Sequence, residues 1–397
     1  MIRLASRLGS VEPSATLAIT ALAGKMKREG KNVISLSAGE PDFPTPRNVK
    51  NEALRAIEED FTHYTPESGI PELKEAVAKS FEKTWGIKYN SSEVIISNGA
   101  KHVIFNAIFA LCDEGDEIIV ITPAWVSYIE QIKLAGGKPV IVETKEENDF
   151  IPNPKDIERN ITSKTKAIII NSPHNPTGTV YPRDVLIEIA KIATSRGVFV
   201  ISDEIYDKLS YDEESIPLVC LLPEAKDNIL IVNGASKAYA MTGWRIGWGL
   251  GPADLIKAMG IIQGHMTSNP CSISQRAALE AVKGPQETVD KMVREFRERR
   301  NLICSLLEEA PHISFRKPKG AFYLFINITE ALGKKYKNEV INDDITFSRK
   351  LLEEKLVAIV PGTAFAAPGY IRISYAASRK DIEEACKRIK EFLKELI

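Results

Sequence analysis

The chain has 397 residues, of which 44% are hydrophobic, and its formal net charge is −1. A chain of this length and hydrophobic content can bury a large core and is expected to form two domains. The charge is balanced and no basic stripe is present, which argues against nucleic acid as the main partner, because phosphate backbones are bound by clustered Lys and Arg.

Residues 1–30 intersperse charges among their apolar side chains, so they lack the unbroken apolar core of a signal peptide. No apolar run approaches the ~18 residues of a transmembrane helix. The sequence therefore predicts a cytoplasmic protein with no membrane partner. Its five cysteines and five histidines show no paired ligand spacing, which favours free thiols and predicts no metal site.

Short runs rich in β-branched residues predict strands through the middle of the chain. They are Val94–Ser97, Ile118–Ile121, Ala167–Asn171, Val198–Ser202 and Ile229–Asn233. Longer amphipathic stretches between them, such as 101–111 and 183–194, predict helices. Strands that alternate with helices in this way predict a mainly parallel sheet covered by helices.

The pattern changes from Ser314 onwards. Strand-like runs at 321–328 and 370–374 accompany amphipathic helices near 345–355 and 378–396. This part of the chain predicts a smaller α+β unit. The charged stretch 287–309 predicts a long helix that joins the two parts.

Candidate chemical groups fall at the ends of the predicted strands. Lys237 follows the run 229–232, Asp203 and Tyr206 follow the run 198–202, and Arg245 lies eight residues beyond Lys237. Ligands of open α/β sheets bind at the carboxyl ends of the strands. A desolvated lysine can form a Schiff base, although a lone Ser-Lys after a strand is more often a loop lysine. The joint set of amine, guanidinium, carboxylate and phenol suggests pyridoxal phosphate.

Several motifs occur in a fixed order along almost the whole chain. They are Ser37-Ala38-Gly39-Glu40-Pro41-Asp42-Phe43, Ser172-Pro173-His174-Asn175-Pro176-Thr177-Gly178, Asp203-Glu204-Ile205-Tyr206, Ser236-Lys237 with Thr242-Gly243-Trp244-Arg245-Ile246-Gly247, and Arg372-Ile373-Ser374. This order resembles the class I and II aminotransferases, and within them the bacterial and plastid aspartate aminotransferases, some of which also use prephenate.

The resemblance implies an α/β protein with the type I fold of pyridoxal-phosphate-dependent transferases. In that fold a large domain with a mainly parallel seven-stranded sheet accompanies a smaller α+β domain. The expected division is an N-terminal arm with part of the small domain at 1–45, the large cofactor-binding domain at 46–300, and the small domain at 301–397.

The resemblance also implies how pyridoxal 5'-phosphate is held. Lys237 forms the Schiff base and shuttles the proton, Asp203 faces the pyridine nitrogen, Asn175 and Tyr206 reach the phenolic oxygen, and Trp125 stacks on the ring. Without the resemblance, Trp125 reads equally well as a core aromatic. The phosphate is expected near Gly99, Ala100, Lys101, Ser236 and Arg245, because a helix opens after Gly99 and its amides suit an anion. Tyr64 resembles a tyrosine that reaches the phosphate of the neighbouring subunit, which implies a homodimer with shared active sites.

Substrate contacts follow from the same resemblance. Arg372 and the backbone amide of Gly39 bind the α-carboxylate, with Trp125 and Asn175 beside them, and Lys101, Thr16 and Ser14 recognise a distal carboxylate. The implied reaction is ping-pong transamination between aspartate or glutamate and 2-oxo acids such as 2-oxoglutarate and oxaloacetate.

Other functions stay open at this point. A prephenate/glutamate-type, aromatic or alanine aminotransferase and a C–S β-lyase would all use the same cofactor. A non-catalytic binding protein is the remote alternative, and the intact set of Lys237, Asp203, Tyr206 and Arg372 argues against it, since buried charges are costly to retain.

Overall fold

The protein is represented by a computed structural model that describes residues 2, 5–13 and 15–397, without the side chains of residues 7 and 15–17. Its α-helices in chain order are α1 (Ala15–Arg28), α2 (Arg47–Glu58), α3 (Pro71–Trp85), α4 (Ala100–Leu111), α5 (Ser127–Leu134), α6 (Pro154–Arg159), α7 (Arg183–Ser195), α8 (Leu218–Leu221), α9 (Ala235–Ala238), α10 (Ala253–Met266), α11 (Ser272–Lys283), α12 (Glu287–Leu307), α13 (Asp344–Lys355) and α14 (Arg379–Lys394). Its strands are β1 (Ile34–Ser35), β2 (Val94–Ser97), β3 (Glu117–Thr122), β4 (Lys138–Glu143), β5 (Thr165–Asn171), β6 (Phe199–Asp203), β7 (Ile229–Gly234), β8 (Gly247–Leu250), β9 (Ser314–Phe315), β10 (Tyr323–Asn327), β11 (Lys335–Tyr336), β12 (Glu339–Val340), β13 (Val357–Ala358), β14 (Val360–Pro361) and β15 (Tyr370–Ser374).

Seven strands form the central sheet in the order β2-β8-β7-β6-β5-β3-β4. The five strands from β7 to β4 pair in parallel, and β8 is antiparallel to both of its neighbours. Residues 229–232 and 168–171 are buried without interruption, as expected for parallel strands covered by helices on both faces. The predicted α/β class with a mainly parallel seven-stranded sheet is confirmed.

The C-terminal part contains a second, antiparallel sheet in the order β14-β15-β10-β9. Helices α13 and α14 pack on one another and on β13 beside this sheet. The N-terminal segment joins this part of the molecule, because β1 pairs in parallel with β13, with Ile34 opposite Val357. The long helix predicted at 287–309 is α12, which runs through the predicted boundary at residue 300. The division of the chain at residues 45 and 300 stays a prediction.

Two strands of the large sheet were not among the sequence-based strands. Strand β8 has two glycines in four residues, a composition that weakens strands. An added Cβ on Gly247 would lie 2.2 Å from the backbone nitrogen of Ala100, so the close approach of α4 accounts for this glycine. Strand β4 lies at the sheet edge and contains Pro139, which only an edge strand tolerates easily.

Three further observations concern the part of the chain that the structure describes. No helix in it is both long and apolar enough to cross a membrane. No group of three or more His, Cys, Asp or Glu side chains in it is arranged to hold a metal ion. The five cysteines are free thiols.

Candidate active site

A cavity of about 360 Å³ lies at the carboxyl ends of β5, β6 and β7. Asn171 ends β5 and Asp203 ends β6, and β7 leads directly into the short helix α9, which carries Ser236 and Lys237. Asn171 ties two of these strand ends together, because its amide nitrogen donates to the carbonyl of Asp203 over 2.8 Å and its oxygen accepts from the backbone of Asn175 over 2.8 Å. Parallel pairing therefore delivers the chemical groups to one edge of the sheet.

Most of the predicted site residues line this one cavity. They are Gly39, Ala100, Lys101, Trp125, Asn175, Asp203, Tyr206, Ser236, Lys237, Arg245 and Arg372. Gly99 lies directly behind the wall, at the N-cap of α4. Residues separated by more than 300 positions in sequence thus converge on a single space.

Lys237 is one of the residues that line the cavity. Its Nζ donates a hydrogen bond to the carbonyl of Gly39 and lies 5.9 Å from the ring centroid of Tyr206. Burial lowers the pKa of the Lys237 amine to about 8; Glu40 opposes this shift, and the cations of Arg372 and Arg245 add to it. A lysine with this pKa is partly neutral near physiological pH, which nucleophilic and base chemistry requires.

Asp203 is a buried residue of the same cavity and is held by two donors. The hydroxyl of Tyr128 donates to Asp203 Oδ2 over 2.5 Å, and the backbone of Ile205 donates to Oδ1 over 3.2 Å. Burial raises the pKa of Asp203 to about 6, although both hydrogen bonds and the charge of Lys237 lower it. A cationic group bound in the cavity would stabilise the charged form of Asp203 and lower its pKa.

The N-terminus of α4 and Arg245 form one end of the cavity. Arg245 donates to the carbonyls of Thr242 and Asn98, over 2.7 and 3.3 Å. Gly99 has a φ of 89°, and a Cβ at this position would lie 2.4 Å from the Arg245 guanidinium. Glycine therefore lets the guanidinium approach the amides that open α4, and together they form an anion-binding end.

Lys101 and Trp125 lie beside each other at the rim. Lys101 Nζ lies 4.8 Å from the centroid of the Trp125 ring, a cation–π contact. Desolvation lowers the pKa of Lys101, and the charge of Arg245 acts in the same direction.

Arg372 also lines the cavity and is 2% exposed. Its guanidinium donates to Asn175 Oδ1 over 2.9 Å and to the carbonyl of Ser37 over 3.0 Å. The rings of Tyr323 and Phe365 contact it, with centroids 4.2 and 4.8 Å from the guanidinium carbon. Its Nε has no hydrogen-bond partner, so this buried cation lacks a full set of acceptors.

The charges of the cavity decide which ligands fit it. Among the described residues, no carboxylate lies within ion-pair distance of Lys101, Lys237, Arg245 or Arg372. Four cations without ion partners suit a ligand with several anionic groups. The donors at the α4 end fit a phosphate, and the buried carboxylate of Asp203 fits a protonated ring nitrogen. The cavity therefore fits pyridoxal 5'-phosphate.

Tyr128 and Tyr323 are among the cavity residues that the sequence analysis did not single out. Tyr128 follows Trp125 by three residues, its backbone nitrogen donates to the Trp125 carbonyl over 3.1 Å, and the two rings meet edge to face at 5.3 Å. Tyr323 donates to or accepts from the Tyr206 hydroxyl over 2.8 Å. A buried tyrosine needs a partner for its hydroxyl, but the sequence does not reveal which partner it meets.

One predicted residue does not line the cavity, and two others cannot be placed because they lie outside the described residues. The side chain of Tyr64 is 90% exposed and does not line it. Ser14 and the side chain of Thr16 lie outside the described residues. The roles assigned to these three residues stay predictions.

Comparison with known proteins decides the family. The family model for aminotransferase class I and II matches residues 31–389. The chain belongs to the class I and II aminotransferases. It is 47% identical to an aspartate aminotransferase of Geobacillus stearothermophilus over 99% of both chains, and 46% identical to a probable aspartate/prephenate aminotransferase of Rickettsia prowazekii over 98% of both.

Solved structures of this family share the fold. The aspartate aminotransferase of Thermus thermophilus with maleate is 41% identical, with a TM-score of 0.93 over 99% of this chain and 100% of that one. The aspartate aminotransferase of Rhizobium meliloti is 40% identical, with a TM-score of 0.95 over 100% of both chains. The aminotransferase is thus a pyridoxal-phosphate-dependent transaminase with the type I fold, which acts on amino acids and 2-oxo acids.

Proposed function

We propose that this aminotransferase exchanges amino groups between aspartate or glutamate and 2-oxo acids, with 2-oxoglutarate and oxaloacetate as acceptors. The observation that carries the proposal is that Lys237, whose pKa is lowered to about 8, shares one cavity with the buried Asp203 and the buried Arg372, whose charges both act on it. The names of the relatives support aspartate as a substrate.

We assign the cofactor to the cations and hydroxyls of the cavity. The phosphate would be held by Arg245, Ser236 and the amides that open α4, with Lys101 nearby. Asp203 would hold the proton of the ring nitrogen, and Asn175 and Tyr206 the phenolic oxygen. When bound, the protonated ring withdraws electrons from the substrate α-carbon.

The remaining steps belong to side chains of the protein. Arg372 binds the α-carboxylate with charged hydrogen bonds and so fixes the orientation of the α-hydrogen. Lys237 Nζ, in its neutral form, takes the proton from the substrate α-carbon. Tyr128 donates to Asp203 and packs against Trp125, and the burial of Asp203 strengthens its interaction with a cation.

A spectral test with different amino donors separates this function from its alternatives. The holoenzyme is mixed with aspartate, glutamate, alanine, phenylalanine or arogenate, and the visible absorbance of the cofactor is followed through one turnover. Rapid loss with the dicarboxylic donors is expected. A comparable response to arogenate would add the prephenate branch, which the Rickettsia relative's name favours. Faster loss with alanine or phenylalanine would contradict the proposal, and release of ammonia and pyruvate from a cysteine conjugate would indicate a lyase.

Arg372 and Lys101 are expected to differ in their effect on substrate choice. Arg372→Ala removes the α-carboxylate ligand and should lower kcat/KM for every amino donor by about two orders of magnitude or more. Lys101→Ala should lower kcat/KM for aspartate and glutamate while sparing alanine. The measurement is kcat/KM for aspartate, glutamate and alanine in the wild type and in both variants. An equal loss for all donors in Lys101→Ala would remove the distal-carboxylate role.

We further propose that two copies of the chain form a homodimer in which Tyr64 reaches the site of the other copy. The 90% exposure of Tyr64 within one chain supports this proposal. The cytoplasmic location expected from the sequence stays a prediction.

A further inference from the structure

A short turn in the C-terminal part of the chain contacts two walls of the cavity at once. This turn, Gly362–Phe365, ends in the buried Phe365, whose ring lies 4.8 Å from the guanidinium carbon of Arg372. The carbonyl of Phe365 accepts a hydrogen bond over 2.9 Å from the backbone of Ala124, the residue before Trp125. Phe365 therefore links the carboxylate-binding arginine to the segment that carries the ring-stacking tryptophan.

The turn is held on its polar side by one buried carboxylate, that of Asp344 at the start of α13. Asp344 Oδ2 accepts from the backbone of Thr363 over 2.7 Å. Its Oδ1 accepts from the hydroxyl of Thr363 over 2.9 Å and from the backbone of Gly369 over 3.3 Å. Asp344 is 0% exposed, and no cation of the described chain forms an ion pair with it. A buried carboxylate of this kind depends on its hydrogen bonds, and all three donors belong to residues 363–369.

The other side of the turn leaves little room for adjustment. A Cβ on Gly362 would lie 2.2 Å from the carbonyl oxygen of Ala367. Phe365 packs into a small apolar cluster with Phe150, Phe325 and Val360. The turn is thus fixed by apolar packing on one side and by Asp344 on the other, so the loss of the carboxylate would leave three donors without acceptors in a closely packed region.

We propose that Asp344 is a positioning residue, which fixes Phe365 and thereby holds the guanidinium of Arg372 and the Trp125 segment in the arrangement that binds the substrate carboxylate. This inference rests on the proposed role of Arg372. Because Arg372 contacts the carboxylate in the ground state and in the transition state alike, misplacing it weakens binding, and KM rises more than kcat falls.

Asp343 provides a matched control on the preceding residue. Its exposed carboxylate accepts from the backbone of Thr346 over 2.6 Å and caps the same helix, but it does not contact the turn. Asp343→Asn and Asp344→Asn remove the same charge at the same helix end and preserve side-chain size. A general effect of helix stability or charge would therefore appear in both variants.

Maleate is a dicarboxylate that cannot be transaminated. Its affinity for the purified holoenzyme therefore reports on the placement of Arg372 and the Trp125 segment without turnover. Titration calorimetry is expected to give a Kd raised about tenfold in Asp344→Asn and changed by less than about twofold in Asp343→Asn. Steady-state kinetics with aspartate should show KM raised by a similar factor, with kcat less affected.

Arg372→Ala in the same titration distinguishes the two hypotheses. Unchanged maleate affinity in Arg372→Ala would contradict the proposed function of Arg372. Weakened affinity in Arg372→Ala together with equal Kd values for Asp343→Asn and Asp344→Asn would overturn the role of Asp344. If Asp344→Asn does not fold, Thr363→Val removes only one of the three hydrogen bonds. This variant is expected to raise Kd about threefold, and an unchanged Kd would overturn the inference.

Discussion

Replacing Lys237 by alanine is expected to abolish transamination, with kcat/KM for aspartate lowered by about four orders of magnitude or more. The variant loses both the amine that attaches the cofactor and the base that moves the α-proton. Two lysines of the described chain line this cavity, Lys101 and Lys237. Lys101 lies at the rim beside Trp125, whereas Lys237 donates to the carbonyl of Gly39. Steady-state turnover and peptide mapping after borohydride reduction are the measurements, and the wild-type label should lie on the peptide that contains Lys237.

Lys257→Ala is the matched control, because Lys257 is an exposed lysine on α10. This control should keep wild-type turnover and labelling. Preserved turnover in Lys237→Ala, with the label at another lysine, would refute the assignment.

The lowered pKa of Lys237 adds a pH dependence to the wild type. Its amine becomes neutral as pH rises through about 8, so the rate of cofactor uptake by the apoprotein should rise through that pH and level off above it.

The central sheet was predictable wherever strand residues are buried on both faces. The run Val94–Ser97 matches β2, and Ile229–Asn233 matches β7 except for the added Gly234. Short continuous runs rich in β-branched residues carry this information because a strand covered on both faces is apolar on both. Strand β8 was missed because of its glycines. Gly247 is required by the close approach of α4, and the local sequence does not reveal this tertiary contact.

The cavity shows the same limit. Lys237, Asp203 and Asn175 follow predicted strands, so the rule that parallel strands bring their carboxyl ends together locates them. Tyr128 and Phe365 follow no such rule. Tyr128 meets Asp203 across 75 residues of sequence, and Phe365 reaches Ala124 through a single backbone hydrogen bond. Packing of separate elements determines these contacts, and the residue types alone leave the partners open.

Asp203→Asn is expected to lower kcat by about two to four orders of magnitude while stabilising the apoprotein. The loss of activity follows because a neutral amide cannot keep the ring nitrogen protonated. The gain in stability follows from burial, which raises the pKa of Asp203 to about 6 in the folded apoprotein. A buried carboxylate without a cationic partner opposes folding, and the amide does not.

The sign of the pH dependence follows from this raised pKa. Below the unfolded pKa of about 3.8 the group is protonated in both states and costs nothing. Between about pH 3.8 and pH 6 the folded state binds more protons than the unfolded state, so the wild type loses stability relative to Asp203→Asn as pH rises, and the difference levels off above about pH 6. The difference in the free energy of unfolding should therefore widen by about 1 to 2 kcal/mol between about pH 4.5 and pH 7.5, as measured by urea denaturation of the two apoproteins.

Without cofactor, Asp203→Asn is expected to be the more stable protein, and with cofactor bound, the wild type. This reversal would connect the stability of the apoprotein to the proposed role of Asp203. The ring nitrogen would supply the cation that the carboxylate lacks, so pyridoxal 5'-phosphate should stabilise the wild type more than Asp203→Asn. Asp254→Asn, an exposed change in the first turn of α10, is the control and should show no pH-dependent difference. A pH-independent gap between wild type and Asp203→Asn would show that the folded carboxyl group titrates normally. Equal stabilisation of both proteins by the cofactor would show that Asp203 does not pair with the ring nitrogen.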